Sequence, residues 1–128
     1  MSDEGKTYKR QWRDYRTAGG ARPVHKFLMG LTAAERAEIA AAMREVSRDG
    51  LSAAKHLSGD IYEVKADTND KFFRVLFAAE GEYNQVLLSL EAFAKKTNKT
   101  PKPKMDKAND RLKSWRRQGE KLRKAQEE

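Results

Sequence analysis

Residues 61–94 read IYEVKADTNDKFFRVLFAAEGEYNQVLLSLEAFA, three apolar runs cut by two polar turns. In IYEVKA (61–66), Tyr62, Val64 and Ala66 fall on one face of a strand, and Ile61, Glu63 and Lys65 on the other. FFRVLFAA (72–79) sets Phe73, Val75 and Phe77 against Phe72, Arg74 and Leu76. QVLLSLEAFA (85–94) groups Val86, Leu88, Leu90 and Ala92 against Gln85, Leu87, Ser89, Glu91 and Phe93. The connections TNDK and EGEYN are short, which predicts an antiparallel meander. One face of that sheet is apolar throughout and needs a cover. The opposite face is mixed and carries the charges.

The flanks supply the cover. Upstream, Thr32 and Glu35 have capping-box spacing, and AAERAEIAAAMREV is rich in strong helix formers. Ile39, Met43 and Val46 line one side, with Ala42 beside them, and Gly50 is a suitable stop, so a helix is expected over 32–48. Pro23 opens a shorter helix, PVHKFLMG. TAGGARP before it is a loop. TYKRQWRDYR, with Tyr8, Trp12 and Tyr15 among basic residues, is a strand candidate of imperfect alternation. Downstream, Pro101 and Pro103 break the third strand. Met105, Ala108, Leu112, Trp115 and Leu122 then mark a narrow helical stripe with a basic back. Gly119 lies on that stripe and is expected to weaken the last turns. The fold class is therefore α+β: a small antiparallel sheet, N-terminal helices on one face and a basic C-terminal helix. One domain is expected over 1–128, with the basic helical segment at about 103–126.

Charge narrows the function. The net charge is +8. Residues 1–94 hold 14 Lys and Arg against 14 Asp and Glu, while residues 95–128 hold 13 against 5, which is the whole excess. A neutral body with a basic last quarter suits an anionic partner such as nucleic acid, and a solvated lysine-rich helix is the plainer explanation. There is no cysteine, which removes disulfides and thiolate chemistry and fits a reducing cytoplasm. MSDEGKTYKRQWRDYR has no apolar core of a secretory signal, and no stretch approaches a membrane span, so no membrane partner is expected.

LSGDIYEV entering one strand, FRVLF on the next, FAKKTNKTP closing the third, and YRTAGGARPV near the start stand in a recognisable order. Over roughly residues 8–115 the chain resembles the RelE/ParE superfamily of bacterial toxins, and within it the HigB-like, phage-associated branch. KKTNKTP after a strand is the most specific element. The resemblance implies a toxin of a two-gene toxin–antitoxin module with a microbial-ribonuclease-like sheet. Typical members bind the ribosome and cleave messenger RNA there, and a neighbouring gene encodes an antitoxin, often with a helix-turn-helix domain.

RNA cleavage without a metal requires three things: a base for the 2′-OH, stabilisation of the charged phosphorus centre, and a proton for the leaving 5′-oxygen. Arg74 is the lone charge in an apolar strand, either clamping phosphate or pairing with Glu63. In the resembled family an arginine occupies this strand position, and the Lys65 strand usually contributes a basic residue. Lys65 is otherwise an ordinary strand-end lysine. Lys95 and Lys96 end the last strand, aimed at phosphate or merely solubilising an edge. A lysine crowded by other cations can serve as base. His56 precedes the strand block and could reach the mixed face, whereas His25 in the short first helix reads as structural. Phe93 could stack on a base, while Tyr62 reads as core. Lys99 and Lys102 read as positioning contacts. The histidine or tyrosine that many related toxins carry near the sheet end is missing from EAFAKKT, so the acid and base stay open, with Glu63 and Glu91 further candidates. No metal-ligand spacing, phosphate-binding glycine loop or nucleophile elbow appears, and no cofactor is expected. Two other functions remain: a gyrase-inhibiting toxin of the same fold, and a basic nucleic-acid module without catalysis.

Overall fold

A computed structural model describes residues 10–95 and 99–127. Tyr8 and Lys96 lie outside the described residues. Five strands form one sheet: β1 (Gln11–Asp14), β2 (Lys55–Ser58), β3 (Ile61–Asp67), β4 (Phe72–Glu80) and β5 (Val86–Lys95), in the order β1-β5-β4-β3-β2. The expected meander is β3-β4-β5, antiparallel at both contacts. β1 adds to β5 in parallel. β2 pairs antiparallel with β3 through a turn in which Gly59 has φ +54°. Sequence reading passed over β2, because KHLS has no alternation and only Leu57 to bury.

Three helices cover the sheet: α1 (Pro23–Met29), α2 (Ala33–Asp49) and α3 (Lys102–Glu127). The start of α2 forms as its residues dictate, with Glu35 N–H donating to the Thr32 hydroxyl and Thr32 N–H to the Glu35 carboxylate. Gly50 ends it at φ +85°, and a side chain there would meet the Arg10 guanidinium at 2.9 Å. That guanidinium donates to the carbonyls of Ser47 and Arg48, satisfying the open end of the helix.

α1 and α2 pack on the apolar face, where Val24, Ile39 and Val46 meet Val64, Phe73, Val75 and Phe77. Trp12 closes this core, donating from Nε1 to the Met43 carbonyl at 2.8 Å and meeting Phe77 edge-on. The second face has its own core. α3 lays Met105, Ala108, Leu112 and Trp115 over Ile61, Leu76, Leu88 and Leu90. Burying a side chain such as Leu112 there contributes about 1.5–3 kcal/mol. α3 continues past Gly119 to Glu127, with Leu122 66% exposed, so the packed stripe stops at Trp115.

Strict alternation misplaces Leu88 and Leu90. Leu76 pairs with Glu91 but Phe77 with Ser89, so Leu90 is an extra residue in β5. This bulge inverts the pleat, turning Leu88 and Leu90 toward α3 while Leu87 and Ala92 face α1 and α2.

Candidate active site

α3 covers only part of the second face. From beneath the start of α3 outward to the end of the meander, strand register lines up three rows of side chains. Lys55, Glu63, Leu76 and Glu91 form the first; Lys65, Arg74 and Phe93 the second; Asp67, Phe72 and Lys95 the third. Residues opposed in register share a face, so these rows form one surface. Arg74 and Lys95 thus point to the same side, as the sequence requires of a joint site.

Arg74 is 4% exposed, which changes its role. Its Nη1 donates to the Phe73 carbonyl at 2.7 Å and to the Asp67 carboxylate. Its Nε lies 3.6 Å from Glu63, an ion pair too long for a hydrogen bond. Glu63 is 1% exposed and accepts from the Thr100 hydroxyl at 2.7 Å. The pairing with Glu63 is thus the arrangement found, and Arg74 is not open to clamp a phosphate. It supplies fixed positive charge from beneath the surface.

Lys95 is the chemically unusual group. It is 7% exposed, and burial pushes its ammonium below the ordinary lysine pKa. Glu63 opposes that shift, while Arg74, Lys65 and Lys55 add to it. Lys65 and Lys55 are exposed, so solvated cations share the face of a desolvated one. Lys55 also lines a groove of about 490 Å³ together with Lys99 and Thr100. Lys102 lies outside this cluster, exposed and paired with Asp106 one turn along α3.

Three expectations need correction. His56 pairs in register with Tyr62, on the side of α1 and α2. It borders the groove, but its ring packs on Tyr62 with Nε2 2.8 Å from the Gly59 carbonyl, so it does not reach the cation cluster. Phe93 is 5% exposed beneath the Lys104 ammonium, which sits 5.6 Å from the ring centre, so no base can stack there. Glu63 and Glu91 are both engaged. Glu91 holds Lys104 and Arg111 at 3.5 and 3.4 Å, so both carboxylates are tied into structural contacts.

Phe72 is the aromatic residue that sequence reading placed on this face without a role. It opposes Lys95 in register and is 43% exposed. An apolar ring left open beside a lysine was the available signal. Among the described residues no cluster of His, Asp and Glu is arranged to hold a metal ion, and no helix is long and apolar enough to cross a membrane.

A family model described as "Phage derived protein Gp49-like (DUF891)" matches residues 26–113, a stretch that contains Lys55, Lys65, Arg74 and Lys95. The chain is 35% identical over 109 residues to the "Probable endoribonuclease HigB1" of Mycobacterium tuberculosis strain CDC 1551 / Oshkosh. The protein of the same name in strain ATCC 25618 / H37Rv matches to the same extent. Each alignment covers 83% of this chain and 85% of the relative.

Proposed function

Because the chain belongs to the phage-derived Gp49-like family, HigB-like toxins of the RelE/ParE superfamily, we propose that it is the toxin of a type II toxin–antitoxin module and cleaves RNA. The observation that carries this reading is the buried Lys95 on the same sheet face as Arg74, Lys65 and Lys55. A phosphodiester laid across that face meets the exposed Lys65 and Lys55, with the Arg74 charge beneath it. Lys95 in its neutral form accepts the 2′-OH proton. The 2′-oxygen attacks phosphorus, the bond to the 5′-oxygen breaks, and Lys65 returns a proton to that oxygen. The products are a 2′,3′-cyclic phosphate and a 5′-hydroxyl. No metal takes part in this scheme. Phe72 offers a face for the base beside the scissile link, and Lys99 and Lys102 hold the flanking backbone.

The substrate we propose is messenger RNA on the ribosome, so the protein acts in the cytoplasm and stops translation. A cognate antitoxin, with a helix-turn-helix domain from an adjacent gene, holds it inactive in its own cell. In a translating extract the protein should cut messenger and arrest synthesis. The same messenger, deproteinised and free of ribosomes, should stay intact. Blocked DNA supercoiling with uncut messenger would instead favour the gyrase-inhibiting function, and RNA binding without cutting the non-catalytic one.

A further inference from the structure

A second basic site lies at the opposite edge of the sheet. Along β1, a groove of about 620 Å³ is lined by Arg13, Arg16, Arg22, Trp12 and Trp115, with Asp14 and Gln118 completing it. All these residues fall outside the family-matched stretch 26–113. Arg16 and Arg22 belong to YRTAGGARPV, whose conformation the catalytic scheme does not use.

The charges there are unevenly spent. The side chains of Arg13 and Arg16 are exposed and make no hydrogen bond or ion pair among the described residues. Asp14 is occupied, accepting from Arg22 and from the Ser89 hydroxyl, each at 2.6 Å. Arg22 Nε is buried without an acceptor among the described residues, a state that buried donors rarely keep. Three guanidiniums therefore line a groove with one carboxylate, which Arg22 alone engages, and the rigid fork of arginine suits phosphate. Both indoles are half-buried, and Trp12 has already given its N–H to Met43.

We propose that this groove is a second RNA-contact site, taking a backbone phosphate among Arg13, Arg16 and Arg22 and a neighbouring base beside the two tryptophans. The indoles favour RNA over an acidic peptide, because every base has a π-face to stack and a carboxylate side chain has none. The one carboxylate in the lining, Asp14, is already engaged by Arg22 and Ser89, so the groove binds and does not cleave. β1 meets β5 near Ser89, six residues from Lys95, or on the order of 20 Å along the strand. An RNA chain spanning both sites would be held at one edge and cut at the other end. That the polymer is RNA rests on the function proposed above, but the contact itself does not depend on cleavage.

Trp12 and Trp115 are the only two tryptophans, so intrinsic fluorescence reports on this groove. The probe is a single-stranded oligoribonucleotide with 2′-O-methyl groups, which cannot be cut, titrated into the full-length protein. Its binding, followed independently by anisotropy of a label, should quench the tryptophans. The double variant Arg13→Gln/Arg16→Gln removes no internal bond of the described residues. It should bind about tenfold more weakly, and the slope of log affinity against log salt should fall by about 0.7 for each phosphate no longer neutralised. Lys65→Gln should leave the quenching amplitude unchanged. The proposal is overturned if RNA fails to bind, if it binds without quenching, if the double variant binds like the parent, or if polyglutamate quenches equally. Messenger cleavage in a translating extract without a tryptophan signal from the probe sinks only this proposal, and quenching by the probe with no messenger cleavage in that extract sinks only the nuclease.

Discussion

Exchanging Lys95 for glutamine should slow RNA cleavage by about 10²- to 10⁴-fold, the range for losing a positioned base, and leave the protein folded. The fold survives because Lys95 is held against its preference. Its folded pKa is lowered, so between that value and the ordinary lysine pKa the unfolded chain binds more protons than the native one. Stability of the parent should therefore rise with pH through that window, and the penalty is full below it. Glutamine carries no charge and should flatten the rise. Activity should follow the same group with the same sign. The parent's cleavage rate increases with pH as Lys95 loses its proton, then levels off, and the variant lacks that limb. A rate that falls as Lys95 deprotonates would make it a fixed charge and not a base. Single-turnover rates across pH, with urea midpoints measured on the same samples, separate these outcomes.

Arg74→Ala should cost about 3–5 kcal/mol, because it strands Glu63 in the interior without its counter-charge. On sequence alone, the same substitution reads as one that silences the toxin and spares its fold. Burial reverses that expectation, since the residue is 4% exposed and ties β3 to β4 through Asp67 and Glu63. The double variant Arg74→Met/Glu63→Gln should recover most of that stability, since a neutral pair of similar volume can replace a buried ion pair. It should still cleave poorly, because the positive charge beneath the phosphate is gone. Urea unfolding of the two variants tests the first point, and cleavage by the double variant tests the second. Full stability in Arg74→Ala would mean that Glu63 finds another partner. Full activity in the double variant would remove Arg74 from the site.

The meander was legible because its strands are long, β-branched or aromatic, and separated by turn residues. α2 was legible from Thr32, Glu35 and Gly50, which act locally. β2 was not, since its four residues carry a lysine and a histidine and gain their place only by pairing with β3. Alternation puts Leu88 and Leu90 on the wrong face because a bulge leaves no mark in a run of apolar residues. The same limit applied to the site. Strand alternation puts Lys65 and Arg74 on the mixed face, and the register adds Lys95 to it. The sequence could not say that α3 would shut Phe93 under Lys104, or that Arg74 would be sealed by Asp67 and Glu63. Those outcomes depend on side chains that meet only once the helix and the neighbouring strands have packed. Part of the basic C-terminal quarter likewise serves the fold, with Arg116 bridging Glu80 and Asp60 and Arg111 capping the Leu90 carbonyl.

Mapping messenger 5′ ends after brief induction, with separate capture of 5′-hydroxyl and 5′-phosphate ends, addresses cleavage by Lys95 directly. The parent should create new ends within coding sequence, bearing 5′-hydroxyls, and Lys95→Gln expressed at the same level should create none. New ends of equal abundance in the two strains, or ends bearing 5′-phosphate, would contradict a transesterification that Lys95 begins.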